Sequence, residues 1–403
     1  MPDEIVGTRT QETLRGSVLT DSLQVFTGEL TIGRDGSIGV TNVLGTHTTG
    51  LLHPAEELDA GMRRFIGVAF DRETKQSDQR VRVSTSRRSS SQQILVLRNG
   101  DRFAGHLRAS QSDDMTIAWS HPVLGELGID LDHVREVVLQ TSKKASMPEH
   151  DADLVELDNG DWLSGFLLGI GEQVSIETDS GVVSVPISGV ARVELADVSG
   201  TEPAGNEDFA SVRLTDGTQI ACEMQRLDMD GARVVPLVTG QSTLLTLPTI
   251  EQIVWVRGSL EALDETSVLD VQPIDGREWT RDPHIEPTRR FESFAMDLPG
   301  PMRVDVDVHT VSQTGALLVG TVVLPEECRT WGNCTLDVRA KQNGAWGSIW
   351  SGTFTGDAPV AAMRANIPSG VSELRFELGS GAYGMIQDHL RITDMLLFAE
   401  GAS

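Results

Sequence analysis

Apolar and polar residues alternate along most of this chain, with the period of two that is typical of β-strands with one buried face. In the middle of the chain, three alternating runs are each followed by an Asn-Gly or Asp-Gly pair and a second alternating run. This form predicts a tight β-hairpin. The hairpins cover 94–107, 154–167 and 212–224, and their turn glycines Gly100, Gly160 and Gly217 recur roughly every 60 residues.

Each hairpin is followed at a similar distance by a similar closing segment, at 129–138, 185–194 and 245–254. A unit of about 45 residues with this opening and closing is typical of a small, strongly bent β-barrel. We therefore expect three tandem barrel repeats. Repeat 1 covers 94–142, repeat 2 covers 152–198 and repeat 3 covers 209–257.

The N-terminal region, 1–90, is harder to interpret. Its segment 14–44 alternates like strands and contains the turn signal Arg34-Asp35-Gly36. A diverged partial copy of the repeat and an unrelated β cap both fit this pattern. The Arg-, Ser- and Gln-rich stretch at 80–93 is typical of an exposed linker.

Dense alternation returns in the C-terminal region, 266–403, after a mostly irregular approach segment. Five alternating runs, separated by Gly-, Asn- and Asp-containing loops, predict a two-sheet β-sandwich. The predicted fold class is therefore all-β, with tandem small bent β-barrels followed by a sandwich.

Composition narrows the functional classes. With 33 basic and 59 acidic residues, the formal charge of −26 opposes binding to nucleic-acid phosphates, so we expect no nucleic-acid partner. No apolar run approaches the roughly 20 residues of a membrane helix, so we expect no transmembrane segment. The N-terminus lacks a basic and apolar signal segment, which fits either an intracellular protein or a mature chain whose signal was removed.

Two of the three cysteines, Cys328 and Cys334, flank a short loop that contains Gly and Asn. This spacing can close a disulfide, which we expect here and which would indicate an oxidising compartment, although two free thiols also fit it. Cys222 occupies the position of Gly105 and Gly165 in the other two hairpins, so we expect a small buried residue without reactivity.

The C-terminal runs at 318–325, 335–353, 360–379 and 383–397 resemble the NPCBM family of putative carbohydrate-binding modules. The Trp-Ser-Gly segment at 350–352 and the Asp-His pair at 388–389 match the family pattern. Ile392 stands where the family often has Trp, and 325–334 replaces an Asp-containing stretch. The resemblance implies a jelly-roll sandwich that binds carbohydrate. The middle of the chain resembles the Sm-like barrel repeats that precede such modules in exported bacterial proteins of planctomycete type.

Sugars stack their C–H faces on flat aromatic rings, while polar side chains select the hydroxyl pattern. The expected carbohydrate-binding residues are therefore aromatic and polar residues of the sandwich, namely Trp331, Trp346, Tyr383, Asp388 and His389. We expect Trp331 and Trp346 to be exposed beside glycines and Trp350 to lie in the core. Asp388 and His389 fit a loop-fixing role as well as ligand contact.

No catalytic motif is present in the sequence, so we expect no enzyme activity, no cofactor and no metal site. His106, His121 and His133 all fall in repeat 1 without equivalents in the other repeats, which favours surface histidines over metal ligands.

The sequence thus predicts a non-catalytic protein, located extracellularly, in the periplasm or at the cell surface, that binds carbohydrate through its C-terminal sandwich. The alternative is a structural or assembly protein, including a homo-oligomer, whose barrels and sandwich mediate protein–protein contacts. A barrel edge buried between subunits would favour that alternative.

Overall fold

The structure is a computed structural model of the whole chain. It describes residues 14–20, 23–33, 37–42, 45–52, 63–71, 92–108, 115–140, 152–196, 209–255, 258–261, 263, 267–274, 281–288, 290–308, 315–381, 384 and 387–400. Two compact units divide the chain: one ends at Trp255 and the other begins at Val256, and residues 19–25 are grouped with the second.

The part of the chain that the structure describes contains strands and short 3-10 helices but no α-helix. The strands up to residue 70 are β1 (Leu14–Thr20), β2 (Val25–Ile32), β3 (Ser37–Thr41), β4 (His47–Leu52) and β5 (Arg63–Phe70). Those of repeat 1 are β6 (Gln93–Leu97), β7 (Arg102–Leu107), β8 (Thr116–His121), β9 (Gly125–Asp130) and β10 (Val134–Val138). Those of repeat 2 are β11 (Asp153–Leu157), β12 (Trp162–Ile170), β13 (Gln173–Thr178), β14 (Gly181–Pro186) and β15 (Val190–Glu194). Those of repeat 3 are β16 (Ala210–Leu214), β17 (Gln219–Asp228), β18 (Gly231–Pro236), β19 (Thr243–Leu245) and β20 (Ile250–Val254).

The opening hairpins of the three repeats share one register. Gln93 pairs with Gly105, Asp153 pairs with Gly165, and Ala210 pairs with Cys222 at equivalent positions. In each repeat the closing strand then returns to the first strand, so that β10 pairs with β6, β15 with β11, and β20 with β16. The buried apolar side chains of the three repeats belong to one cluster.

The N-terminal strands follow the same pairing order as the repeats, because β1 pairs with both β2 and β5. The Leu23 N–H donates to the Thr20 carbonyl at 2.9 Å, and Leu23 has φ of 60°. In hairpin 1, the Gly100 N–H likewise donates to the Leu97 carbonyl, at 3.1 Å, and Gly100 has φ of 90°. The N-terminal strands and hairpin 1 thus share this pairing order and turn hydrogen bond.

Hairpins 1 and 3 exchange hydrogen bonds reciprocally. The Ala104 N–H donates to the Thr218 hydroxyl at 3.0 Å, and the Ala221 N–H donates to the Asp101 carboxylate at 2.7 Å. Ala104 and Ala221 occupy equivalent positions of the two hairpins, as do Asp101 and Thr218. The two hairpins are therefore related by a local pseudo-two-fold axis. We call this contact the 1–3 junction.

His121 lies at the 1–3 junction, which corrects the expectation of a surface histidine. Its side chain is fully buried, and its Nδ1 accepts from the backbone N–H groups of Val123 and Leu124 at 3.0 and 2.9 Å. Its Nε2–H therefore donates to the Thr218 hydroxyl at 2.7 Å. The position of His121 is explained by this hydrogen-bonding role.

The second unit contains two packed sheets with a shared apolar core. One sheet holds β21 (Gly258–Glu261), β23 (His284–Pro287), β24 (Phe294–Leu298), β26 (Ala316–Val323), β29 (Val360–Ile367) and β31 (Leu390–Glu400). The other sheet holds β22 (Val268–Pro273), β25 (Met302–Asp307), β27 (Asn333–Gln342), β28 (Ala345–Thr355) and β30 (Glu373–Ser380). All pairings within both sheets are antiparallel. The predicted all-β class and C-terminal sandwich are confirmed.

The described residues include no helix that is both long and apolar enough to cross a membrane.

Candidate functional site

Two loops of the sandwich meet at the end where β27 begins and β31 begins. The first follows the 3-10 helix Glu326–Cys328 and carries Trp331, and the second carries Gln387, Asp388 and His389. We call this region the Trp331 site. It brings together three of the five residues that the sequence predicted for carbohydrate binding.

Hydrogen bonds join the two loops. The Trp331 N–H donates to the Gln387 amide oxygen at 3.1 Å, and the Asn333 N–H donates to the Asp388 carboxylate at 3.3 Å. The close approach of the loops also requires Gly332, because a Cβ there would lie 3.0 Å from the Gln387 carbonyl oxygen of the second loop and 2.5 Å from the Cys328 carbonyl oxygen of its own loop. The backbone of Trp331 is therefore held on both sides.

His389 makes the third polar contact of the Trp331 site. Its Nε2 lies 2.7 Å from the Asp297 carboxylate of β24. The His389 side chain is 28% exposed and the Asp297 side chain 40% exposed, so both reach solvent. Asp388, by contrast, is only 3% exposed, so its main contribution is to fix the loop. The sequence did not single out Asp297, because 92 residues separate it from His389.

The Trp331 side chain is an exposed large apolar group, with 55% of its surface in contact with solvent. Its backbone is anchored, yet its indole does not enter the core. The expectation that Trp331 is exposed is met.

Cys328 and Cys334 lie beside this site as buried free thiols, so the expected disulfide is not formed in the structure. Cys334 is fully buried on β27, whereas Cys328 ends the 3-10 helix with its sulfur 4.0 Å from His389 Nδ1. Burial raises the pKa of Cys334 to about 12, with smaller contributions from Asp388 and Cys328. Because the thiolate is the reactive form, this raised pKa keeps the thiol unreactive. Cys222 is also buried and free, as expected.

Trp346 lies elsewhere on the sandwich. It pairs with Lys341 near the turn of the β27–β28 hairpin, whereas Asn333, two residues after Trp331, begins β27 at the other end. Eight strand residues separate these positions, which corresponds to about 25 Å along an extended strand. Trp331 and Trp346 therefore belong to two separate surfaces.

Two cations cover the Trp346 ring. The Arg375 guanidinium lies 3.9 Å from the ring centroid and the Lys341 ammonium lies 5.6 Å from it. Arg375 also makes two 2.7 Å hydrogen bonds to Asp305, and Lys341 contacts Glu373 at 2.6 Å. Trp346 is thus only partly exposed, which differs from the sequence expectation.

Of the remaining aromatic candidates, Trp350 packs against the core while keeping part of its surface exposed, with its ring 6.4 Å from that of Phe354. Tyr383 lies outside the described residues. Within the described part of the chain, no group of three or more His, Cys, Asp or Glu residues is arranged to hold a metal ion.

No protein-family model matches the chain. No curated protein matches it in sequence. Among solved structures, the chain is similar to the CBM51 module of a Clostridium perfringens GH95 protein in complex with methyl-galactose, with 13% identity and a TM-score of 0.23 over 35% of this chain and 88% of that one. It is also similar to an adhesin domain of Lys-gingipain from Porphyromonas gingivalis, with 10% identity and a TM-score of 0.28 over 36% of this chain and 100% of that one.

A third similar structure is the CBM22-1 xylan-binding domain of Xyn10C from Paenibacillus barcinonensis, with 12% identity and a TM-score of 0.23 over 36% of this chain and 99% of that one. TM-scores this low do not establish a common fold with this chain.

Proposed function

We propose that the protein is a non-catalytic protein that binds carbohydrate at the Trp331 site. The exposed Trp331 indole beside partly exposed polar side chains carries this proposal. An extracellular, periplasmic or cell-surface location remains part of it.

Contact between an indole ring and water is unfavourable because the ring is a large apolar surface. Trp is strongly buried on average, so a ring that stays 55% exposed on an anchored backbone leaves a large apolar surface available for contact. The C–H face of a sugar can cover such a ring and remove this apolar surface from water.

The polar partners of the indole supply selectivity. His389 and Asp297 hold one another through the 2.7 Å contact and are both accessible to solvent, so they can exchange hydrogen bonds with sugar hydroxyls. Asp388 acts indirectly, because its carboxylate accepts from the Asn333 N–H and fixes the loop that presents His389.

Trp346 is a weaker stacking candidate, because Arg375 already covers one face of its ring. Its separation from Trp331 along β27 makes it a suitable control. Tyr383 stays a prediction from the sequence.

The test is titration calorimetry of the full chain against plant, algal and bacterial glycans. We expect Trp331→Ala to weaken binding by roughly 1–3 kcal/mol, the scale of burying one large side chain. Trp331→Phe should retain part of the affinity, and Trp346→Ala should leave it unchanged. Since Trp331 lies outside the core, its removal should not change the thermal unfolding midpoint.

If no glycan gives heat with the intact chain, the carbohydrate proposal fails and the assembly alternative replaces it. Equal loss of binding in Trp331→Ala and Trp346→Ala would also contradict the assignment of the site to Trp331.

A further inference from the structure

Among the described residues, the hairpin of repeat 2 has no counterpart to the 1–3 junction. In hairpin 1, Asp101 is 3% exposed and Ala104 is 5% exposed because hairpin 3 covers them. The equivalent residues of hairpin 2, Asp161 and Ser164, are both exposed. The surface that is covered in repeats 1 and 3 is therefore open in repeat 2.

Backbone pairing shows the same difference. At the 1–3 junction, β7 and β17 pair antiparallel at Arg102 and Gln219, which occupy equivalent positions. Trp162 occupies this position in β12. Along 162–165, β12 pairs with β11 on one edge, and no strand of the described residues pairs with its other edge. Such an edge offers unpaired N–H and C=O groups as a template for another strand.

Two aromatic side chains lie on one face of β12: Trp162 on the open edge and Phe166 next to it. Residues 162, 164 and 166 point to the same face of β12 because side chains alternate along a strand. The equivalent positions are Arg, Ala and His in hairpin 1 and Gln, Ala and Glu in hairpin 3, but Trp, Ser and Phe in hairpin 2. Phe166 is 60% exposed, and Val182, two strands away across Glu177, is 61% exposed. A face that is both open and apolar is typical of an interaction surface.

The 1–3 junction itself identifies the occupant. It is formed by two copies of the same hairpin around a pseudo-two-fold axis, with an Asp or Thr side chain of each copy accepting from the backbone of the other. We propose that hairpin 2 pairs in the same way with hairpin 2 of a second copy of this chain, around a true two-fold axis at Trp162.

In this dimer each Asp161 carboxylate accepts from the Ser164 N–H of the other copy, as Asp101 accepts from Ala221. This contact is favourable, because each carboxylate accepts a hydrogen bond from a backbone N–H and does not face a second carboxylate. The two Trp162 side chains meet at the two-fold axis of the dimer. At the equivalent place in the 1–3 junction, Arg102 and Gln219 line a cavity of about 290 Å³. In the dimer, β12 of one copy pairs with β12 of the other, which joins the two 20-stranded sheets. This inference is independent of the carbohydrate proposal.

The first experiment measures the mass of the full chain in solution by sedimentation equilibrium at tens of micromolar chain. We expect twice 43.6 kDa for the natural chain and 43.6 kDa for Trp162→Arg, because two arginines would face each other at the axis. The fold should tolerate this arginine, since Arg102 occupies the equivalent position in repeat 1. Leu244→Arg, at an exposed apolar residue of repeat 3, should remain dimeric.

The second experiment tests the axis and does not depend on the arginine variant. Directly opposed residues of an antiparallel pair have Cα atoms about 4.5–5.5 Å apart, which is within the reach of a disulfide. Trp162→Cys should therefore form a covalent dimer on mild oxidation, whereas Leu244→Cys should not, and the three natural cysteines are buried. A monomeric natural chain, a dimeric Trp162→Arg variant, or the absence of cross-linking at position 162 would each overturn the proposal.

Discussion

Hairpins 1 and 2 contain the same tripeptide, Asn-Gly-Asp, yet their aspartates lie in opposite environments. In both turns the Asn side chain donates to the Asp carboxylate, at 3.1 Å for Asn99 and 2.7 Å for Asn159. In both turns the Asp N–H donates back to the Asn side chain at 3.0 Å. Asp101 is then buried against hairpin 3, whereas Asp161 faces solvent.

The comparison separates two levels of structure. The turn is local and depends only on the tripeptide and its flanking strands. The burial of Asp101 is tertiary, and it raises the pKa of its carboxyl to about 6, against the lowering effect of the Ala221 and Asn99 hydrogen bonds. Identical sequences can therefore make identical turns and still contribute very differently to stability.

The largest expected effect is in the core beneath the two turns. Phe103 is fully buried, whereas Leu163 at the equivalent position of hairpin 2 is only partly buried. Phe103→Ala should lower the free energy of unfolding by about 3–5 kcal/mol, the usual cost of removing a buried aromatic ring. Leu163→Ala should cost clearly less. Denaturant titrations of both variants measure this difference, and equal losses would contradict it.

The second effect is the pH dependence that Asp101 produces. Its pKa is raised from 3.8 to about 6 in the folded state, so the folded state holds the proton more tightly than the unfolded state. The contribution of Asp101 to stability is then greatest below the unfolded pKa and falls as pH rises through the folded pKa. A shift of about two units corresponds to at most about 3 kcal/mol.

Asp101→Asn removes this titration while keeping an oxygen that can accept from the Ala221 N–H. The stability of the natural chain relative to Asp101→Asn should therefore decrease between about pH 4 and about pH 6 and stay constant above it. Asp161→Asn is the control for loss of a carboxylate from the same turn position. If the natural chain and Asp101→Asn change in parallel over this interval, Asp101 does not titrate as described.

The sequence predicted the local features of this fold but not its long-range contacts. The hairpins, their glycines and the all-β class follow from alternation and turn chemistry, which are local. The 1–3 junction and the burial of His121 do not, because 97 residues separate His121 from Thr218 and no short-range pattern reports their contact. The same limit applies to the Trp331 site. Its Asp-His pair was visible in the sequence. The pairing of Trp346 with Lys341, at the end of β27 far from the Trp331 site, was not.

A third prediction concerns the hydroxyl at the 1–3 junction. Thr218 is fully buried, accepts from the Ala104 N–H at 3.0 Å and bonds His121 at 2.7 Å. Thr218→Val keeps the shape of the side chain but removes this acceptor, so that the Ala104 N–H loses its partner and His121 Nε2 keeps only the Asp216 carboxylate, at 3.3 Å. The expected loss in the free energy of unfolding is about 1–3 kcal/mol, the cost of an unsatisfied buried polar group.

The matched change in hairpin 2 is Asp161→Ala, at the exposed equivalent of Thr218. Because this site is on the surface of the single chain, the change should stay within about 0.5 kcal/mol in denaturant titrations of dilute protein. A loss as large as that of Thr218→Val would show that hairpin 2 is as tightly coupled to its surroundings as hairpin 3.

The smallest expected difference tests whether the turns themselves are equivalent. Gly100 and Gly160 have φ values of 90° and 89°, and an added Cβ at either position would meet no atom within 4 Å. An alanine at either site is therefore disfavoured only by the positive φ, which costs roughly 1–2 kcal/mol for a residue with a side chain. Gly100→Ala and Gly160→Ala should thus lower the free energy of unfolding by nearly equal amounts, although hairpin 1 is covered by hairpin 3 and hairpin 2 is open. A clearly larger loss for Gly100→Ala in parallel denaturant titrations would mean that strain in the turn is transmitted to the 1–3 junction, so that local and tertiary contributions are not separable in this repeat.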